Sequence, residues 1–272
     1  MKERDVAIIG GGFAGLFAAL VCAKNNKKVT VFLYGSGAFP LNSGLIDILG
    51  YDEARTLVKD PLAAIESLPA EHPYHRIGKQ SIEEAADFFL KFMEEEGFPY
   101  YGSLSEQQFA VTPVGTLKPS CLVPASMRTP DLTGKDIVIV GVKGLKDFYP
   151  EMLAANLADT LGEGARIRTV ELDPGTSHER DLSILDAARW LEGDGSTLVS
   201  RQLAAEDGAG RVFIFPQILG VHGQRVYKKL QAAMKGTIIE TTAMPPSANG
   251  MRLRDVLMKA ARRLGVEFIE NA

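Results

Sequence analysis

Cysteine is scarce in this chain of 272 residues, in which Cys22 and Cys121 are the only two. Two thiols cannot make a disulfide framework, and an iron–sulfur cluster needs about four thiolate ligands. The sequence therefore excludes both kinds of site within the chain itself. A composition so poor in cysteine fits a protein of the reducing cytosol.

Excess positive charge and long apolar runs are also missing. Lys and Arg number 30 against 34 Asp and Glu, which gives a net charge of −4. Because no basic excess can neutralise phosphates, we expect no nucleic-acid binding. The longest apolar stretch, Phe13 to Ala23, falls short of the ~20 residues of a membrane-spanning helix, so we expect no direct membrane insertion.

The first 34 residues contain a glycine-rich turn between two β-branched segments. Asp5 to Ile9 and Val29 to Leu33 are typical of buried strands, and Leu16 to Asn26 of a helix. Such a unit predicts two parallel strands. A GxGxxG turn in this context favours a nucleotide whose phosphate meets the helix N-terminus, the alternative being a plain turn. The candidate cofactor-binding residues are Gly10, Gly11, Gly12, Phe13, Ala14 and Gly15.

The acidic residue that usually accompanies this motif is absent. An Asp or Glu about 20 residues further on normally binds the adenosine ribose. Leu33 occupies that place, and no carboxylate stands between Val29 and Leu45. The pattern weakens the case for NAD or ordinary FAD, and it says little against a cofactor without the adenosine half.

A second candidate segment follows the second strand. Leu41 to Asp47 contains small polar residues that can approach a flavin ring or a phosphate. We take Ser43 and Gly44 as candidate cofactor contacts, with a plain turn as the equal alternative.

The remainder of the chain predicts an α/β protein with a second parallel sheet. Strands are expected at 137–140, 166–172, 212–215 and 237–242, separated by helices. Residues 98–134 predict short strands and turns. We therefore expect a Rossmann-like flavin-binding domain formed by residues 1–50 and 243–272, and an inserted domain at 51–242 whose part 135–242 carries the second sheet.

Several local patterns predict helix ends and side-chain environments. Ser81 resembles the N-cap of a capping box that opens a helix to Glu96. A further helix is expected from Leu145 to Leu161, and a basic helix from Leu253 to Leu264 followed by a strand at 266–269. Arg252 and Arg254 begin this basic helix, whose charges favour a solvent-exposed face over a phosphate site, with an inward-pointing Arg252 as the alternative.

Three other residues have side chains of reactive types, and each is predicted to have an unreactive role. Cys121 is read as a buried small hydrophobe in preference to a reactive thiol. His72 and His75 are read as loop histidines, because no cluster of further ligands completes a metal site. We therefore predict no metal centre, and no catalytic acid or base can be assigned.

Taken together, the segments resemble the B subunit of the anaerobic, quinone-linked glycerol-3-phosphate dehydrogenase. The glycine motif is common to many flavoproteins, whereas the other segments are specific to this family and run in the same order over almost the whole chain. The matching segments are 9–16 (IGGGFAGL), 43–47 (SGLID), 71–74 (EHPY), 111–117 (VTPVGTL), 140–148 (VGVKGLKDF) and 245–253 (PPSANGMRL).

The resemblance implies a flavoprotein with FMN as cofactor, FAD being the alternative. It also implies a complex with a catalytic A subunit that contains FAD and an iron–sulfur C subunit that attaches to the membrane. Within that complex the B subunit passes electrons from glycerol-3-phosphate oxidation towards the quinone pool. The expected location is the cytoplasm, peripheral to the inner membrane through the complex. The alternatives are a free-standing FAD oxidoreductase of the fumarate reductase type and a cofactor-free structural subunit.

The resemblance also predicts that family members are longer than this sequence. Family members continue well past residue 272, and in related flavoproteins that part returns to the flavin domain. We therefore expect this sequence to carry the flavin domain incompletely and to bind flavin weakly.

Overall fold

The computed structural model of the chain describes residues 3–162, 164–175 and 181–270. Asn271 and Ala272, with which the expected flavin domain ends, lie outside the described residues. The strands are β1 (Val6–Ile9), β2 (Val29–Leu33), β3 (Tyr100–Gly102), β4 (Gln108–Val111), β5 (Leu117–Ser120), β6 (Leu122–Pro124), β7 (Asp136–Val142), β8 (Arg166–Leu172), β9 (Arg211–Phe215), β10 (Thr237–Glu240) and β11 (Glu267–Glu270). The helices are α1 (Phe13–Lys24), α2 (Pro61–Ala64), α3 (Pro73–Ile77), α4 (Lys79–Glu95), α5 (Pro150–Leu161), α6 (Ile184–Trp190), α7 (Ser196–Gln202), α8 (Arg225–Ala233) and α9 (Ala248–Arg263).

The first sheet has the order β1-β2-β11 and is parallel throughout. Val6 pairs with Val29 in register, and Glu267 pairs with Thr30. The predicted parallel pair is therefore confirmed, and the strand expected near residue 266 returns to this sheet. Helices α1 and α9 pack together here, with Leu20 of α1 and Leu257 of α9 fully buried.

The second sheet has the order β10-β9-β7-β8, and its strands are also parallel. Its central strands are continuous apolar runs, as expected for strands covered on both faces. Val138 and Phe213 are fully buried in its core, together with Leu157 of α5. The predicted second parallel sheet is confirmed, with its strand bounds shifted by a few residues at most.

Residues 98–134 form two small antiparallel ladders, β3 with β6 and β4 with β5. This matches the expected short strands and turns. Tyr100 and Leu122 of this segment are buried in the core beneath the first sheet, and Val111 and Leu132 are buried in the core of the second sheet.

The predicted starts of α1, α4, α5 and α9 were wrong. Helix α1 begins at Phe13, three residues before the predicted Leu16 and directly after the N-cap Gly12. Helix α4 begins at Lys79 after Gly78, whose φ of 85° ends the preceding segment, so Ser81 lies inside the helix and does not cap it. Helix α5 begins at Pro150 and not at Leu145, because proline sits well in a first helical turn and Asp147 just before it has a φ of 65°.

Helix α9 begins five residues before the predicted Leu253, at Ala248. Ser247 caps it by accepting a hydrogen bond from the Gly250 N–H at 2.8 Å. The early start changes the position of Arg252, which is fully buried and not on a solvent-exposed face. Its guanidinium donates to both carboxylate oxygens of Glu240, each at 2.7 Å, and so ties α9 to the end of β10.

Candidate functional site

The glycine-rich turn joins β1 to α1 in a conformation that requires two of its glycines. Gly10 has a φ of 105°, and its N–H donates to the Phe32 carbonyl of β2 at 2.8 Å. A Cβ on Gly15 would lie 2.0 Å from the Gly10 carbonyl oxygen. The helix therefore packs directly on the turn, and it does so only because residue 15 has no side chain.

The N-terminus of α1 carries free backbone donors. Gly12 is the N-cap and supplies no side-chain hydrogen bond, and no acidic residue stands in the first turn. Within the part of the chain that the structure describes, the N–H groups of Phe13, Ala14 and Gly15 donate to no other group. A Cβ on Gly12 would meet nothing within 4 Å, so this face of the turn is open. Free donors and an open approach suit a phosphate.

An open pocket of about 550 Å³ lies beside the turn and has Gly10, Gly11 and Gly12 in its wall. Ile9 is 92% exposed and Tyr34 is 84% exposed on its border. The wall also includes Gly37, which sequence reasoning missed. With a φ of 61° and a virtual Cβ 3.0 Å from the Gly12 Cα, Gly37 brings its loop against the turn.

Leu33 ends β2 beside the turn and is buried against Gly11. It offers no acceptor to a ribose at the position where a carboxylate is usual. The register of the sheet places Glu270 of β11 directly opposite Leu33. The Glu270 carboxylate accepts from Arg262 at 3.4 Å. Sequence reasoning missed this neighbour because the register between strands so far apart in the chain has no local signal.

Ser43 and Gly44 form a separate loop held by α9 and β3. The Asn249 amide donates to the Ser43 carbonyl at 3.3 Å, and the Tyr100 hydroxyl donates to the Gly44 carbonyl at 2.6 Å. Burial raises the pKa of the Tyr100 hydroxyl well above its usual value, so it remains a donor. Gly44 has a φ of 82° and lies against the Asn249 amide, which leaves no room for a Cβ. These residues do not line the pocket beside the glycine turn.

A family model described as "FAD binding domain" matches residues 5–271. The chain belongs to this FAD-binding family. The match covers both sheets and includes the glycine turn, the Ser43–Gly44 loop and the returning strand β11.

Curated relatives of this FAD-binding chain are named as the B subunit of anaerobic glycerol-3-phosphate dehydrogenase. The chain is 30% identical to the proteins from Glaesserella parasuis and Pasteurella multocida, over 96% of its own length and 64% of theirs. It is 31% identical to a Vibrio cholerae protein, over 96% of this chain and 63% of that one. The chain thus spans just under two thirds of the length of these relatives.

The side chain of Phe13 turns away from the open face of the glycine turn. Its ring stacks on Phe17 at 5.7 Å and packs edge-on against Phe89 of α4. These aromatic rings line an apolar cavity of about 260 Å³. Phe13 therefore offers only its backbone N–H to a ligand at the turn.

Two histidines and both cysteines of the chain have structural surroundings. His72 caps α3 by accepting from the Tyr74 N–H at 3.2 Å, and His75 contacts the Leu68 carbonyl at 2.8 Å. Cys121 is buried, which raises the pKa of its thiol. Cys22 is half-buried at the edge of the core. Among residues 3–162, 164–175 and 181–270, no three potential metal ligands come together.

None of the helices in the described ranges combines the length and the apolar composition needed to cross a bilayer.

Proposed function

We propose that this chain carries the flavin-binding part of an electron-transfer subunit of anaerobic glycerol-3-phosphate dehydrogenase. The observation that supports this most strongly is the open, uncapped N-terminus of α1 at the glycine turn. It occurs in a member of an FAD-binding family whose curated relatives are named as the B subunit of that enzyme.

In this proposal the flavin phosphate meets the N–H groups of Phe13, Ala14 and Gly15. The backbone of Gly10, Gly11 and Gly12 forms the surface below the cofactor. Ser43 and Gly44 lie outside the pocket beside the glycine turn, so in this proposal they meet a part of the flavin that extends beyond that pocket. A bound flavin supplies the redox chemistry. The chain's own residues hold and orient it, and the buried bonds of Asn249 and Tyr100 fix the Ser43–Gly44 loop.

The proposal also covers the domain organisation of the chain, its partner subunits and the direction of electron transfer. Residues 1–50 and 243–272 form the flavin-binding domain, and 51–242 form an inserted domain whose part 135–242 holds the second sheet. The partners are a catalytic A subunit that contains FAD and an iron–sulfur C subunit that attaches the complex to the inner membrane from the cytoplasmic side. Electrons pass from glycerol-3-phosphate oxidation through this chain towards the quinone pool.

Gly12→Ala is expected to weaken flavin binding by about tenfold or more without loss of stability. Gly12 has a φ of −76° and free space around its virtual Cβ, so alanine fits the folded chain. The added methyl group instead stands where the phosphate must approach the free N–H groups, whose bonds to a charged acceptor are worth about 1.5–3 kcal/mol each. Flavin fluorescence quenching measures the affinity, and thermal unfolding measures the stability.

Gly208→Ala is the matched control, because its virtual Cβ makes only ordinary contacts, 3.5 Å from the Arg211 side chain. It should leave both quantities unchanged. Unaltered flavin affinity in Gly12→Ala would contradict the site, and a wild-type chain that binds no flavin would favour the cofactor-free structural role.

We further propose that the flavin is FMN, because Leu33 gives the adenosine ribose of FAD no charged acceptor. The lost bonds correspond to roughly a tenfold to hundredfold preference. Titration with each flavin should show tighter binding of FMN, and Leu33→Glu should shift the affinity ratio towards FAD. Leu33→Met keeps an apolar side chain and should leave the ratio unchanged.

Two results would overturn the assignment of FMN. One is tighter binding of FAD by the wild-type chain. The other is a selective loss of FAD affinity in Glu270→Gln, which would show that the carboxylate opposite Leu33 serves the ribose in its place.

A further inference from the structure

A second pocket lies between α6 and α9, and it shares no lining residue with the pocket at the glycine turn. We call it the α6–α9 pocket. Its volume is about 420 Å³, and its basic side chains are Arg189 of α6 and Arg254, Lys259 and Arg262 of α9. Met258 of α9 is 4% exposed and contributes an apolar part of the wall.

The charges in the α6–α9 pocket are only partly balanced. Lys259 pairs with Asp255 at 2.7 Å, and Arg262 pairs with Glu270 at 3.4 Å. Asp255 and Glu270 are the two acidic residues in the wall, against four basic ones. The pocket therefore carries an excess of two positive charges.

That excess belongs to Arg189 and Arg254. Within the described ranges neither guanidinium has a carboxylate partner or a hydrogen bond to the protein. The Nε of Arg254 is buried, and it donates to no acceptor of the described chain. The terminal nitrogens of both guanidinium groups also donate to no acceptor of the described chain, so an anion in the pocket that accepts from them would gain charge-assisted hydrogen bonds.

His222 also lines the pocket, and it does not offset the charges of Arg189 and Arg254. Its N–H donates to Glu192 at 2.7 Å, and its ring Nδ1 lies 3.1 Å from the same carboxylate. Partial burial of Glu192 opposes its ionisation, but the hydrogen bonds from His222 and from the Val221 N–H outweigh that effect and lower its pKa. Glu192 is thus engaged by the 221–222 turn and lies outside the pocket wall.

We propose that the α6–α9 pocket binds the phosphate group of a small phosphomonoester, at a site separate from the flavin. Guanidinium groups match the oxygens of a phosphate with paired hydrogen bonds. The apolar wall at Met258 lowers the local polarity and strengthens those bonds. The volume lies in the lower part of the range of small-molecule sites, about 300–1,000 Å³, and leaves space for a short carbon body beside the phosphate.

Calorimetric titration of the full 272-residue chain at low ionic strength tests the proposal. The probes are inorganic phosphate, glycerol 3-phosphate and, as the uncharged analogue, glycerol. Wild type should bind both phosphates and not glycerol. Arg189→Gln and Arg254→Gln should each weaken phosphate binding by about tenfold. Arg189 is exposed, so its variant leaves the core intact.

Arg201→Gln is the matched control, because Arg201 is an exposed arginine of α7 outside the pocket wall. It removes the same charge and should change the affinity by less than about twofold. Tighter binding of glycerol 3-phosphate than of inorganic phosphate would support recognition of the carbon body as well.

The test separates this site from the proposed flavin site. Gly12→Ala should weaken flavin binding and leave phosphate binding unchanged. Phosphate affinity that falls in Gly12→Ala but not in the arginine variants would place the anion at the glycine turn and overturn the proposal. Absence of phosphate binding to wild type would overturn it as well, without bearing on the flavin.

Discussion

Replacing Arg252 with methionine is expected to lower the free energy of unfolding by about 3–5 kcal/mol. The guanidinium is 1% exposed and the Glu240 carboxylate is fully buried. Arg252 also donates to the Gly220 carbonyl at 2.7 Å. Without it, Glu240 keeps one donor, the Leu219 N–H at 2.7 Å, and remains a buried charge without a counterion. Urea unfolding followed by circular dichroism measures the change.

A second ion pair of α9 provides the control. Arg262 and Glu270 are both more than half exposed, so Arg262→Met should cost less than about 1 kcal/mol. The double variant Arg252→Met with Glu240→Met removes both buried charges and should be more stable than Arg252→Met alone. Equal destabilisation by Arg252→Met and Arg262→Met would show that the buried pair has no special weight.

Gly15→Ala is expected to abolish measurable flavin binding and to lower the free energy of unfolding by about 1–3 kcal/mol. The new Cβ would stand 2.0 Å from the Gly10 carbonyl oxygen. The clash is with a backbone atom, which cannot move aside as a flexible side chain can, so α1 must move away from β1. The N–H groups at the start of α1 then no longer point towards the flavin phosphate. Flavin fluorescence quenching and urea unfolding measure the two effects.

Gly12→Ala separates the loss of flavin affinity from the loss of stability, because it should weaken flavin binding without lowering the free energy of unfolding. Wild-type stability in Gly15→Ala would contradict the close packing of the helix on the turn. Wild-type flavin affinity in a destabilised Gly15→Ala would show that the cofactor does not depend on this helix N-terminus.

The sequence predicted those features whose cause is local. β-branched runs at 5–9, 29–33 and 137–140 predicted buried parallel strands because strands covered on both faces need continuous apolar side chains. The runs at 29–33 and 137–140 are buried, whereas burial of the first run was a wrong prediction, since Ile9 of β1 is 92% exposed. The spacing of Gly10, Gly12 and Gly15 predicted the turn because Gly10 and Gly15 each meet a requirement of their immediate surroundings. Pro150 and Gly78 also act locally, since Pro150 fixes the start of α5 and Gly78 fixes the start of α4. Both starts could have been predicted from the sequence.

What could not be predicted depends on distant contacts. Arg252 lies in a basic helix, and its inward orientation was only an alternative because the sequence does not show that β10 brings Glu240 against it. Tyr100 and Asn249 hold the Ser43–Gly44 loop from positions far along the chain. Glu270 comes opposite Leu33 only through the register of β11 with β2. None of these pairings has a signal within a window of neighbouring residues.

The pairing of β2 with β11 has a consequence for the order of events during synthesis. Thr30 meets Glu267 in register, so the first sheet gains its third strand only after nearly the whole described chain has left the ribosome. All strands of the second sheet lie between Asp136 and Glu240. Closing a long loop costs entropy before its contacts form. The topology therefore favours assembly of the second sheet before β11 joins β1 and β2.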